Sequence, residues 1–239
     1  MSYGSQNPWS AARPAVDRAG YDLGLRQHML RVYNYMATGL ATTGAVAWLA
    51  YDTGFVHQIW TTGLRWVVIL APLVVVFALS AMINRMSVAA ARLAFLFYAA
   101  LLGLSLSIIF LAYTGTSIAE TFFVTAATFL GMSLYGYTTK SDLTRFGSFL
   151  VMGLIGIVIA SLVNIFLASP GLQFAISVIG VIVFTGLTAW DTQRIKEQYD
   201  ASYGGEAVGR LAIMGALMLY LDFINLFLML LQLFGDRRN

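Results

Sequence analysis

Tyr220-Leu221-Asp222-Phe223-Ile224-Asn225-Leu226-Phe227 is the stretch on which the reading of this chain turns. It lies in an apolar run bounded by Arg210 and Asp236, whose 25 intervening residues carry one charge, Asp222, at the twelfth position. About 20 apolar residues cross the hydrocarbon core of a bilayer as a helix. A carboxylate in the middle of such a helix costs about 2.5–3.5 kcal/mol on insertion scales, so it faces protein or water and not lipid. Two roles remain for Asp222. It is either a hydrogen-bond partner for a neighbouring helix or part of an ion path, proton relay or sensor, where deep intramembrane acids more often belong.

The rest of the 239 residues follow the same plan, with 59% hydrophobic and 10% charged residues against about 25% charged in a globular protein. With no cysteine, disulfides, thiolate metal sites and a cysteine nucleophile are excluded. Basic residues stand singly between apolar runs, and the net charge is only +3, so nucleic acid is not an expected partner. Residues 1–28 are polar, contain Gly4, Pro8 and Pro14, and lack a signal-peptide core. They are expected to form a flexible cytoplasmic N-terminal tail.

Residues 29–236 are expected to form one domain of seven transmembrane helices, an all-α integral membrane protein. The apolar runs are about Tyr33–Tyr51, Trp66–Asn84, the stretch from Arg92 to a turn near Tyr113-Thr114-Gly115, Ile118–Tyr137, Phe146–Ala168, Leu172–Ile195 and Arg210–Phe234. The fifth and sixth come from a charge-free stretch of 45 residues between Arg145 and Asp191, too long for one helix and broken at Ser169-Pro170-Gly171. Seven helices with the N-terminus inside place eleven basic residues on inner segments: Arg13, Arg18, Arg26, Arg31, Arg85, Arg92, Lys140, Arg145, Arg194, Lys196 and Arg210. The outer segments hold three, Arg65, Arg237 and Arg238. That asymmetry predicts a cytoplasmic N-terminus and a C-terminus outside.

Asp191 ends the sixth run in Thr188-Ala189-Trp190-Asp191-Thr192-Gln193-Arg194, about one turn inside the cytoplasmic boundary at 1.5 Å per residue. Asp222 lies two to three turns from the same side. A short connection with Gly204 and Gly205 makes the two helices neighbours, so their carboxylates are candidates to meet. Alone, Asp191 reads as an interfacial partner of Arg194 at i+3. Two carboxylates meeting in a low-dielectric site do not both ionise cheaply and titrate as a unit, sharing a proton. Their oxygens suit a hard cation such as calcium, but two side chains fall short of the six to eight oxygens of a tight site. A weak, transient calcium site on a leak pathway fits better.

Other polar residues carry weaker signals. Glu120 is either a cation entrance at the outer end of the fourth span or a helix N-terminal charge. His28 and His57 lie outside the spans without a ligand-spaced partner and are expected to be solvated. Asn34, Asn164 and Asn225 are candidates for hydrogen bonds across helices, and the small pairs Gly156/Ala160 and Ala212/Ala216 for close helix packing. Tyr51, Trp60, Trp66 and Trp190 fall at span ends, as an interfacial belt does.

The segment Tyr220 to Phe227, followed by Leu231 to Gly235, resembles the hallmark last helix of the Bax inhibitor-1 family, the transmembrane Bax inhibitor motif proteins, in its bacterial type. Trp190-Asp191-Thr192-Gln193-Arg194-Ile195-Lys196 resembles that family's sixth-helix motif. Glu120-Thr121-Phe122-Phe123, with Lys140-Ser141-Asp142-Leu143 beyond it, is similar to the fourth helix and its following loop. The likeness runs from about residue 25 to 236. It implies a central C-terminal helix wrapped by the other six and a pH-sensitive calcium leak, with Asp191 and Asp222 as the paired-aspartate sensor. It also implies a basic latch at the end of the second span, for which Arg85 is the nearest candidate. The Glu197–Gly209 connection is longer than in compact bacterial relatives, and the second span lacks the acid that some relatives carry.

The expected function is therefore a pH-sensitive calcium leak channel or transporter, with no enzymatic activity, no cofactor, and calcium only as the transported ion. Expected partners are the bilayer, calcium and protons, with the chain a monomer, and the membrane is expected to be a bacterial inner membrane. A second class is a modulator that binds a membrane protease or other membrane protein. An intramembrane aspartyl protease shares paired aspartates on its sixth and seventh helices. Its Gly-x-Gly-Asp and Pro-Ala-Leu motifs are absent here, where Asp222 sits in Leu-Asp-Phe and Ala71-Pro72-Leu73 has another order. No lysine lies within a span for a retinal-type Schiff base.

Overall fold

Helix follows helix along residues 14–238, which the computed structural model describes. In order they are α1 Pro14–Asp52, α2 Phe55–Thr61, α3 Leu64–Met82 continued by a 3₁₀ turn Ile83–Arg85, α4 Val88–Leu106, α5 Ile109–Ala112, α6 Gly115–Thr138, α7 Thr144–Leu167, α8 Pro170–Glu197 and α9 Gly205–Phe234. Six segments have the length and hydropathy to cross a membrane: α3 with its 3₁₀ turn, α4 with α5, α6, α7, α8 and α9. The seventh span is the second half of α1, packed between α4 and α9. The chain is an all-α integral membrane protein.

Local chemistry sets the breaks. Ala168 ends α7 in the left-handed region at φ 48°. Ser169 caps α8 by accepting the Leu172 N–H, and Pro170 takes the first turn, where its missing donor is not needed. At Tyr113–Thr114 the turn is capped likewise, with Thr114 accepting from Ser117 N.

Helix α9 is the axis. Of its span 67% is buried, against 17% for α7. Helices α1, α4, α6 and α8 pack on it directly, while α7 packs on α8 and α3 on α4. The outer faces of α3 and α7 present large apolar side chains such as Phe77, Met152, Ile165 and Phe166, the surface that lipid covers. Of the two small-residue pairs, Ala212 and Ala216 are fully buried. Gly156 has open space where a Cβ would sit. Close helix contacts lie elsewhere, the tightest at Gly136, where a Cβ would lie 2.1 Å from the Ala189 carbonyl oxygen of α8, and another at Gly103 against Thr43 O of α1.

The N-terminal region differs from expectation. Residues 1–13 lie outside the described residues, but 14–28 belong to α1 and are helix rather than tail. Leu25 and Met29 are part of the main core. His28, expected to be solvated, is 2% exposed and lies 5.4 Å from the Tyr199 ring beyond α8. His57 is exposed as expected.

Burial, and then the nearby Arg31 cation, hold His28 below its ordinary value of 6.5. A histidine held low in the fold takes up its proton more readily when unfolded. Its contribution to stability is therefore present above about pH 6.5 and is lost as pH falls through the folded value. His28→Leu should accordingly lose less thermal stability than the parent between neutral and mildly acidic buffer. Equal acid losses in the two proteins would exclude this role.

Candidate functional site

The aspartates come together. Asp191 from α8 and Asp222 from α9 line one cavity of about 280 Å³ with Val151 and Leu154 of α7, Trp190, Arg194 and Asn225. The two side chains are close enough for each carboxyl group to feel the other. Both are buried, Asp191 at 9% and Asp222 at 5% exposed. Asp222 Oδ2 is sealed from solvent and has no hydrogen-bond partner among the described residues. Leaving such an acceptor unpaired costs roughly 1–3 kcal/mol, so the fold retains a group that it does not satisfy.

Arg194 does not pair with Asp191 within 4 Å; among the described residues the ion pair at that distance is Arg210 with Glu206, at 3.0 Å. The Arg194 guanidinium stands over the Trp190 ring, 5.4 Å from its centroid, at the wall of the aspartate cavity. Arg85 is not brought to the aspartates. It ends the 3₁₀ turn after α3, is exposed, and does not line that cavity. The basic residue at the pair is Arg194. Glu120 sits in the second turn of α6, exposed, and the cap position it was a candidate for is held by Thr114.

The residues around Asp191 fix its helix. Gln193 clamps the loop between α6 and α7, accepting Leu143 N at 2.9 Å and donating to Ser141 O at 2.9 Å. The Lys196 ammonium donates to Tyr137 O at 2.8 Å. Thr192, Ser133 and Tyr33 form a chain of hydroxyls from α8 through α6 to α1, at 3.0 and 2.6 Å. Trp190 packs against Gly147 of α7, where a Cβ would collide with its ring. These positioning residues were missed in the sequence as functional. Their one signal was the run of hydrogen-bonding side chains directly after an intramembrane acid.

Asparagine use is mixed. Asn164 donates to Gln173 at 3.1 Å, across to α8. Asn225 bonds within its own helix, to Leu221 O, and the Asn34 side chain is exposed.

A second cavity, about 390 Å³, lies between the end of α3 and α9, with Ser80, Asn84, Gln198, Tyr203 and Arg210 in its wall. Met218 borders this cavity and the aspartate cavity alike. Its flexible thioether is shared by the walls of the two. Among the described residues no three of His, Cys, Asp and Glu cluster to hold a metal ion.

The family described as inhibitor of apoptosis-promoting Bax1 matches residues 25–239. An inner membrane protein of Escherichia coli K12, YbhL, is 51% identical over 90% of this chain and 94% of its own. An uncharacterized protein of Rickettsia prowazekii is 50% identical over 92% and 93%. A third, from Caulobacter vibrioides, is 46% identical over 94% and 95%.

Proposed function

We propose that this chain, which belongs to the Bax inhibitor-1 family, is a non-enzymatic, pH-gated calcium leak of a bacterial inner membrane, with Asp191 and Asp222 as its sensor and transient cation site. The inner membrane follows the printed name of the E. coli relative, and the Lys and Arg asymmetry supports a cytoplasmic N-terminus. One observation carries the reading: two buried acids from different helices line one cavity, and Asp222 Oδ2 has no partner among the described residues.

One proton held between the carboxyl groups gives that oxygen its hydrogen bond and closes α8 on α9. Losing the proton leaves two like charges in a poorly screened space, which drives the helices apart or draws in a cation. With too few oxygens for tight binding, a calcium ion that enters also leaves. Met218 is the movable wall toward the basic end, because a thioether with three free torsions yields more readily than a branched side chain. The chain needs no cofactor in this scheme and works as a monomer.

Calcium flux into proteoliposomes from about pH 5.5 to about 8.5, for the parent and for Asp222→Asn, tests this. A pH-dependent flux in the parent whose profile flattens in the variant is the expected result. No flux from the parent at any pH would end the transport reading.

A further inference from the structure

At the basic end of the bundle a groove of about 390 Å³ runs between α1 and α6, lined by Arg26, Met29, Leu30, Tyr33, Leu130, Ser133, Leu134 and Tyr137. Leu30, Leu130 and Leu134 on its flanks are exposed, so it opens toward the membrane. From Arg26 to Tyr33 it runs about 10 Å along α1, at 1.5 Å per residue. Two of its lining residues, Tyr33 of α1 and Ser133 of α6, are joined by a hydroxyl pair at 2.6 Å. Among the described residues that line it, the charged one is Arg26. Arg26 is exposed and has no ion-pair partner among the described residues. The Lys196 ammonium lies behind Tyr137, 5.3 Å from its ring centroid.

We propose that this groove binds one anionic phospholipid, its phosphate at Arg26 and an acyl chain lying along Leu30, Leu130 and Leu134. The chemistry is complementary along the whole length. An unpaired guanidinium meets the headgroup at the membrane surface, and an apolar trough faces the hydrocarbon below it. Basic pockets between transmembrane helices take anionic headgroups in this way, with each cation contributing about 1 kcal/mol. The site differs from the aspartate cavity in position and in ligand, so it stands or falls apart from calcium transport. The lipid also bears on the Tyr33–Ser133–Thr192 hydroxyl chain, whose last member adjoins Asp191.

Native mass spectrometry of the whole chain in detergent tests it, with phosphatidylglycerol and phosphatidylcholine of identical acyl chains as probes. The parent should retain the anionic lipid about fivefold better than the zwitterionic one, the factor that corresponds to one cation. Arg26→Gln should lose that preference, and Leu134→Trp, which fills the groove, should lose retention of both. Phe166→Trp, on the 88% exposed lipid face of α7, should behave as the parent. Equal retention of the two lipids by the parent, or parent-like retention by Arg26→Gln or Leu134→Trp, would overturn the proposal. A dimer that Leu134→Trp abolishes would also overturn it, assigning the groove to a second copy.

Discussion

Asp222→Leu is expected to carry no calcium at any pH and at the same time to melt at a higher temperature than the parent. The stability half is expected at alkaline pH, where the pair holds no shared proton. Leucine shares aspartate's branching at Cγ, sits well in a helix, and replaces a buried acceptor whose Oδ2 has no partner among the described residues. Relief of an unpaired buried polar atom is worth about 1–3 kcal/mol, and removing one of two neighbouring buried acids also removes their mutual repulsion when both are ionised. The flux half follows from the proposed role, because a single remaining carboxylate neither shares a proton nor offers oxygens from two helices. Measuring both on one preparation matters. A variant that loses flux and also melts lower has merely been damaged, whereas lost flux with raised stability marks a residue kept for function. An unchanged flux profile in a more stable variant would remove Asp222 from the pathway.

The spans were legible because lipid imposes one rule on every residue facing it, and Ser169-Pro170-Gly171 broke the longest apolar stretch where a missing donor demanded it. Asp191 and Asp222 were legible as neighbours because few residues, Gln198 to Gly204, connect α8 to α9. The extension of α1 below the membrane was not. Its polar residues read as tail because Leu25, His28 and Met29 find cover in residues distant in sequence, among them Tyr199. Arg85 failed for a different reason: a 3₁₀ turn ends α3 and leaves the side chain exposed. Spacing of small residues likewise identified Gly156 without saying which face it is on, while the tightest contact, at Gly136, had no such pattern. Sequence periodicity reports that a face exists, and only the neighbouring helices decide what covers it.

Tyr220→Ala should cost the bundle about 3–5 kcal/mol, the range for losing a large buried aromatic. Tyr220 has 0% exposure on the central helix, two residues before Asp222. Its ring meets Phe95 edge-on at 5.6 Å and Tyr98 at 5.8 Å, both from α4. Its hydroxyl is 2.6 Å from Thr43 Oγ1 of α1. Thr43 donates its own proton to Ala99 O at 2.9 Å, so Tyr220 is the donor between the two hydroxyls. One side chain thus joins α1, α4 and α9, and in lipid such packing carries the association that hydrophobic burial carries in water. Tyr220→Phe keeps the ring, and Thr43 keeps its bond to Ala99, so that change should cost only about 1 kcal/mol. Thr43→Ala in the Tyr220→Phe background should add less than it does alone, because the shared bond is already gone. Reversible unfolding in mixed micelles measures all four proteins. A Tyr220→Ala loss no larger than that of Tyr220→Phe would mean that the ring is replaceable and that α9 is held at the centre of the bundle by other contacts.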